Sequence, residues 1–192
     1  MNRIFKRSQM ADFTREEVLE KVRLNESLQG ADLRELDLSG TNLSGAILFH
    51  ANLFLSDLSG ANLIIANLIG AKLTNADMSG ADLTNAFLRS ARLDNAKLTN
   101  ANLKGANLES AYLSHANLRG ANLNGAVLHN AYLRNADLTG AKLTNANISG
   151  ADLKDANISN AQIAAALTNN NLTSPNRRYA IGLPDEFEIR KD

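Results

Sequence analysis

A large aliphatic residue recurs at every fifth position of this chain, from Leu28 to Ile163. The run contains 28 consecutive five-residue blocks, and the recurring residue is Leu in all but four of them, which carry Met78, Ile148, Ile158 and Ile163. Since an α-helix needs a period of 3.6 residues and a flat strand a period of two, a strict period of five requires a backbone that turns once in every block. The pattern therefore predicts a repeat architecture.

A small residue stands two positions before the large one in most blocks. It is Ala in 24 of the 28 blocks, and the exceptions are Glu26, Leu36, Thr41 and Ser56. One large and one small inward side chain per block would fill a narrow tube at close-packed density. We expect both positions to be buried along the whole repeat.

The last residue of each block is predicted to lie in a turn. It is Gly in 11 blocks and Asn in eight, and these residues tolerate the positive φ that the third residue of a type II turn requires. Nine blocks end in another residue, among them Glu35, Leu55, Ile65 and His115. Because bulky and β-branched residues are strained at positive φ, type I-like turns are predicted there.

Four turns close a square, which gives 20 residues per coil and seven coils for residues 26–165. The sequence thus predicts an all-β, quadrilateral parallel β-helix. With neighbouring coils about 4.8 Å apart, the rod would be roughly 34 Å long. Zero Cys excludes disulfides and thiol chemistry. The N-terminal segment carries basic residues without an apolar run, so neither a signal peptide nor a membrane span is predicted, and we expect a cytoplasmic protein.

The segments that flank the repeat are predicted to protect its ends. In residues 1–25, Thr14 and Glu17 form a capping-box pattern, followed by apolar residues at helical spacing. A short helix over about residues 14–24 would cover the open β edge of the first coil. Residues 166–192 either cap the other end or pair with a second molecule.

An apolar set occupies outward phases near the N-terminal end of the repeat: Ile47, Phe49, Phe54, Leu55, Ile64, Ile65 and Ile69. Large exposed apolar patches on soluble proteins usually mark a contact. Three interpretations stay open, namely cover by the N-terminal arm, a protein partner or self-association, and a membrane surface. Protein binding is the functional hypothesis that this set supports.

Residues 20 apart are predicted to be stacked neighbours, which places Asp37, Asp57 and Asp77 in an acidic ladder. Carboxylates about 5 Å apart repel unless water, salt or a cation intervenes. A solvated face is the favoured interpretation, and binding of a cation or a basic partner is the alternative. Tyr112 and Tyr132 are likewise predicted to stack.

Catalysis and direct nucleic-acid binding are not predicted. Lys72 and Arg92 are neighbours, but no continuous basic stripe extends from them. His50, His115 and His129 lie too far apart to share a metal ion, and a rod filled by Leu and Ala leaves no cavity for a catalytic group or a cofactor.

Blocks such as Ala101-Asn102-Leu103-Lys104-Gly105 match the pattern A(D/N)LXX, and about three quarters of the chain resembles the pentapeptide-repeat family. The resemblance implies a right-handed quadrilateral β-helix. Such proteins are abundant in cyanobacteria, and one branch of the family resembles a DNA duplex and binds DNA gyrase.

Three functions are compared on this basis. A structural or adaptor scaffold that binds a protein partner through the apolar set is the leading one. The alternative, implied by the resemblance, is a DNA-mimicking inhibitor of DNA gyrase. Mimicry requires a dominant negative field, whereas residues 26–165 carry 12 acidic and 10 basic side chains. A third class, an ion-binding or membrane-associated rod, depends only on the acidic ladder and the apolar set.

Overall fold

The computed structural model describes residues 11–163, which form one α-helix followed by stacked turns. Helix α1 comprises Arg15–Arg23. After it, isolated parallel β-bridges join residues that are 20 apart, from the Asp32–Asn52 pair to the Lys142–Gln162 pair. Each bridge joins a single residue of one coil to a single residue of the next. Within the described range, the β structure therefore consists of isolated bridged residues separated by turns.

Four bridged positions occur in every 20 residues, and each extends along the chain as a ladder. We name each ladder by its first residue. In order around the coil they are the Asp32 ladder (Asp32, Asn52, Lys72, Arg92, Tyr112, Tyr132, Asp152), the Asp37 ladder (Asp37, Asp57, Asp77, Lys97, Asn117, Asp137, Asn157), the Asn42 ladder (Asn42, Asn62, Asp82, Asn102, Asn122, Lys142, Gln162) and the Ile47 ladder (Ile47, Asn67, Phe87, Asn107, Val127, Asn147).

The large residue of every block lies inside the coils. From Leu28 to Ile163, none of these side chains is more than 2% exposed, and the Ala residues two positions earlier are buried as well, except for the half-buried Ala161. Of the three polar residues that take the Ala position, Glu26 is exposed, whereas Thr41 and Ser56 are buried with their hydroxyls satisfied. Thr41 Oγ1 donates to Leu38 O at 2.6 Å, and Ser56 Oγ donates to Leu53 O at 2.8 Å. The predicted alternation of large and small inward residues is confirmed for most blocks, and the small position departs from it at Glu26, which is exposed, and at Leu36, which is half-buried.

Backbone hydrogen bonds connect each coil to the next. Leu88 N donates to Asn107 O at 2.7 Å, and Asn107 N donates to Ala86 O at 2.9 Å. Between consecutive blocks, Ala91 N donates to Leu88 O at 3.0 Å and closes the turn. Polar backbone groups that would be costly to bury unpaired are satisfied in this way.

The prediction of type I-like turns at residues other than Gly and Asn is wrong. Every fifth residue from Asn25 to Asn160 has a positive φ, including Glu35 at 61°, Leu55 at 58°, Ile65 at 52° and His115 at 60°. A type I turn needs a negative φ at this position. Turns inside the stack are hydrogen-bonded to the coils on both sides. Ile65 N donates to Thr84 O at 3.0 Å, and Ile64 O accepts from Gly45 N at 2.9 Å, so the backbone of this turn follows the stack rather than its own residue preference.

Helix α1 is present where the capping-box pattern predicts it. The Thr14 side chain accepts from Glu17 N, and Glu17 Oε2 accepts from Thr14 N at 2.7 Å. Val18 is fully buried in the core cluster. The Arg15 guanidinium donates to Asp37 O and to Ser39 O, both at 2.8 Å, which holds α1 against the first coil. The segment predicted as a C-terminal cap, residues 166–192, lies outside the described residues.

Candidate functional site

The structure divides the predicted apolar set between two corners of the coil. The Ile64–Ile65 turn lies between the Asn42 and Ile47 ladders, whereas the Phe54–Leu55 turn lies between the Asp32 and Asp37 ladders. These two corners are diagonally opposite, since two ladders separate them in either direction around the coil. The seven residues therefore do not form one surface.

Most of the set gathers around the Ile47 ladder, together with one residue that the sequence analysis missed. We call this group the Ile65 surface. Ile65 is 52% exposed and Phe87 is 48% exposed. Phe87 is bridged to Asn67 and could have been found from its position 40 residues after Ile47, at the same phase. The members of the Ile65 surface are Ile47, Phe49, Ile64, Ile65, Ile69 and Phe87.

The opposite corner carries the other two members of the predicted set. Leu55 is 49% exposed, and Phe54 is half-buried. Phe54 lines a groove of about 380 Å³ together with side chains of the Asp32 ladder. The neighbours of Phe54 are therefore polar and cationic, unlike those of Ile65.

The acidic ladder exists, and the structure supplies it with partners that the sequence analysis did not foresee. Asp57 is bridged to both Asp37 and Asp77. Arg15 of α1 pairs with Asp37 at 3.0 Å, and Lys97 of the next coil pairs with Asp77 at 3.1 Å. Cations from the chain itself thus stand at both ends of this acidic run.

Hydrogen bonds hold two of these carboxylates in their charged form. The Ser39 hydroxyl, with the Ser39 backbone N–H, lowers the pKa of Asp37. Burial acts to raise the pKa of Asp77, but hydrogen bonds from Ser79 and Lys97 outweigh it and leave that pKa below its usual value. Because these hydrogen bonds stabilise the charged form, they fit a structural role for both carboxylates on a solvated face.

A cationic and aromatic run occupies the Asp32 ladder. Tyr112 and Tyr132 stack with ring centroids 4.9 Å apart and planes 7° apart, which confirms the predicted pair. Arg92 is bridged to both Lys72 and Tyr112, so the cations and the aromatic rings are continuous along one side of the rod. The Nε atom of Arg92 lies 3.7 Å from the Oδ2 atom of Asp94. This oxygen is buried and accepts no hydrogen bond within residues 11–163.

Two of the histidine side chains, those of His50 and His129, contact the following coil. His50 Nδ1 lies 3.2 Å from Gly70 O, and His129 Nδ1 lies 2.8 Å from Ser149 Oγ. In the described part of the chain, no group of three or more His, Asp or Glu side chains is arranged to hold a metal ion. Across residues 11–163, no helix combines the length and the apolar character that crossing a bilayer requires.

Comparison with solved structures finds other repeat proteins of this kind. The chain is similar to HetL, a pentapeptide repeat protein involved in heterocyst differentiation regulation from the cyanobacterium Nostoc sp. strain PCC 7120, with 32% identity over 78% of this chain and 84% of that chain and a TM-score of 0.32. It is similar to Rfr23 from Cyanothece 51142, with 30% identity over 68% and 97% of the two chains and a TM-score of 0.32. It is also similar to QnrB1, a plasmid-mediated fluoroquinolone resistance protein, with 18% identity over 83% and 85% of the two chains and a TM-score of 0.40.

A family model gives the assignment. No curated protein matches the sequence. The model of pentapeptide repeats matches in eight copies that together span residues 27–160. Proteins of that family are generally non-enzymatic structural repeat proteins with a right-handed β-helix fold. The chain belongs to the pentapeptide repeat family.

Proposed function

We propose that the protein is a non-enzymatic scaffold that binds a protein partner through the Ile65 surface. The observation that carries the proposal is Ile65 itself, which has a φ of 52° and is 52% exposed. Left-handed backbone costs an ordinary L-residue about 1–2 kcal/mol, and a β-branched residue there is a genuine outlier. Because Ile65 is half-exposed, its burial in the folded chain offsets little of this backbone strain. Backbone strain at an exposed apolar side chain is what a binding role for that side chain would explain.

The neighbours of Ile65 support a protein ligand. Aromatic and aliphatic side chains with a polar rim are typical of the centre of a protein interface. Phe87 supplies the aromatic side chain, and Asn67, which lies between Ile47 and Phe87 in the ladder, places a polar amide within the surface. Asn67 Oδ1 accepts from Ile69 N at 3.2 Å, which fixes the orientation of that amide.

The scaffold that presents this surface is proposed to be a quadrilateral helix of about seven coils over residues 26–165. Helix α1 is proposed as its N-terminal cap, because an unpaired β edge would recruit other chains. The contacts from Arg15 to Asp37 and Ser39 support this role, as does the hydrogen bond of 2.6 Å from Asp12 N to Asp32 O.

Polar substitution of the Ile65 surface tests the proposal. We expect Ile65→Asn and Phe87→Asn to abolish binding of a protein partner, which cross-linking mass spectrometry detects. If the partner is a second copy of the chain, they should abolish the self-association that analytical ultracentrifugation measures. Leu55→Asn is the matched control, because Leu55 is also 49% exposed and also has a positive φ. If Leu55→Asn removes the same interaction, or if neither set changes it while circular dichroism shows intact structure, the Ile65 surface is not the binding site.

DNA mimicry receives less support from the surface. The acidic run of the Asp37 ladder ends at Lys97, and the Asp32 ladder carries Lys72 and Arg92 at its centre. A mixed charge pattern of this kind does not reproduce the field of a nucleic acid. A supercoiling assay checks the alternative directly, and inhibition of gyrase at micromolar protein would favour it over the scaffold.

A further inference from the structure

The groove beside Phe54 is a second candidate binding site, on a different corner from the Ile65 surface. It has a volume of about 380 Å³, within the range of small ligand sites. Its lining combines one aromatic ring with three cationic side chains, and the lining residues are Arg34, Asn52, Phe54, Lys72, Thr74 and Arg92.

Two of the three cations are not held by a hydrogen-bonded carboxylate. Arg34 is neutralised by Asp32, whose carboxylate accepts from its guanidinium at 2.6 Å and 2.8 Å. Lys72 forms no ion pair within 4.0 Å in the described part of the chain. Arg92 is 61% exposed, and its contact with Asp94 at 3.7 Å is longer than a hydrogen bond. Next to Phe54, the groove therefore presents Lys72, which has no ion pair in the described part of the chain, and Arg92, which is exposed and has only a long contact with Asp94.

The charge pattern of the ladder limits the length of an anionic ligand. Asp32 stands at one end of the Asp32 ladder and Asp152 at the other, with Lys72 and Arg92 between them. A long polyanion that follows the rod would meet carboxylates at both ends. A short acidic segment that contains an aromatic residue fits the pattern instead.

The chain contains such a segment, Asp185-Glu186-Phe187-Glu188, which lies outside the described residues. We propose that this segment of the same chain docks in the groove, with its carboxylates at Lys72 and Arg92 and Phe187 against Phe54. The inference goes beyond the proposed function, because the Ile65 surface stays free when the groove is occupied.

The chain is long enough for this contact. The 22 residues from Ile163 to Asp185 span at most about 75 Å when extended. Ile163 lies four coils beyond Leu83, at the level of the groove, which corresponds to about 19 Å along the rod. The linking residues are therefore long enough for the segment to reach the groove of its own molecule.

Zero-length cross-linking of the full chain with a carbodiimide tests the contact, because this reagent joins only amines and carboxylates that touch. In the cross-linked product that has the mass of one chain, we expect a peptide in which Lys72 is joined to Asp185, Glu186 or Glu188. The Lys97–Asp77 pair, 3.1 Å apart, is the internal reference. Lys72→Gln should remove the product. Lys142→Gln, on the opposite Asn42 ladder, should leave it unchanged.

Cleavage by a glutamate-specific protease gives a second measurement. When docking and release are fast, cleavage follows the fraction of released segment. We expect the double variant Lys72→Glu with Arg92→Glu to be cut after Glu186 about tenfold faster than the unaltered protein, since attraction becomes repulsion. Lys142→Glu should be cut at the unaltered rate. Absence of the cross-link, a cross-link found only between two molecules, or equal cleavage rates would each overturn the proposal.

Discussion

Replacement of one central Leu by Ala should destabilise the whole rod. Leu88 is fully buried, and its neighbours one coil away on each side, Leu68 and Leu108, are fully buried too. Leu→Ala changes in cores cost about 2.7–5.0 kcal/mol, increasing with the volume of the cavity that remains. Bridges from Phe87 to both Asn67 and Asn107 hold the backbone in place, so the cavity cannot collapse and we expect about 4 kcal/mol.

Urea unfolding of the full chain, followed by circular dichroism at constant temperature, measures this difference in the free energy of unfolding. A melting temperature lower by about 8–16 °C should accompany it in a chain of this size. Leu55→Ala is the control, because it makes the same chemical change at a side chain that is 49% exposed, and it should cost less than about 1 kcal/mol. Equal losses for Leu88→Ala and Leu55→Ala would refute the inward placement of the central residues.

Two further predictions concern backbone contact and charge. Gly70→Ala should destabilise more than Gly125→Ala in thermal unfolding, because a Cβ at Gly70 would lie 2.3 Å from the His50 ring whereas Gly125 faces open space, and both have a positive φ. A His50→Ala background should remove the difference, and its persistence would exclude a clash. The hydrogen bond from Arg34 lowers the pKa of Asp32, so this stabilisation is complete above about pH 4 and lost as pH falls through the lower folded pKa. Arg34→Gln should therefore flatten the acid side of the stability profile, and an unchanged profile would show that the pair contributes nothing.

The interior of the rod could be predicted because each inward position accepts side chains of one size, either large and aliphatic or small. Leu83 and Ala81, for example, are buried as the five-residue pattern predicts. The turns at Leu55 and Ile65 were predicted wrongly because residue preference was weighed alone. Hydrogen bonds from the neighbouring coils act on every turn together, and they outweigh a local preference of about 1–2 kcal/mol.

The outer surface could be predicted only where residues are exactly one coil apart. Tyr112 and Tyr132 satisfy this condition, and their stacking follows from the spacing. Leu55 and Ile65 are only ten residues apart, which is half a coil, so proximity in sequence places them on opposite corners. The contact between Arg15 and Asp37 was not foreseen, because the sequence does not specify the angle at which α1 crosses the first coil.

The register of 20 residues also determines how such a chain can change in length. Loss of a single block by an in-frame deletion would keep every aliphatic residue inside, yet it would rotate all later surfaces by a quarter turn relative to the earlier ones. Loss of four blocks would shorten the molecule by one coil, and the residues on each face would keep their direction relative to the rest of the rod. Selection on folding alone would tolerate both events, whereas selection on a binding face would retain only the second.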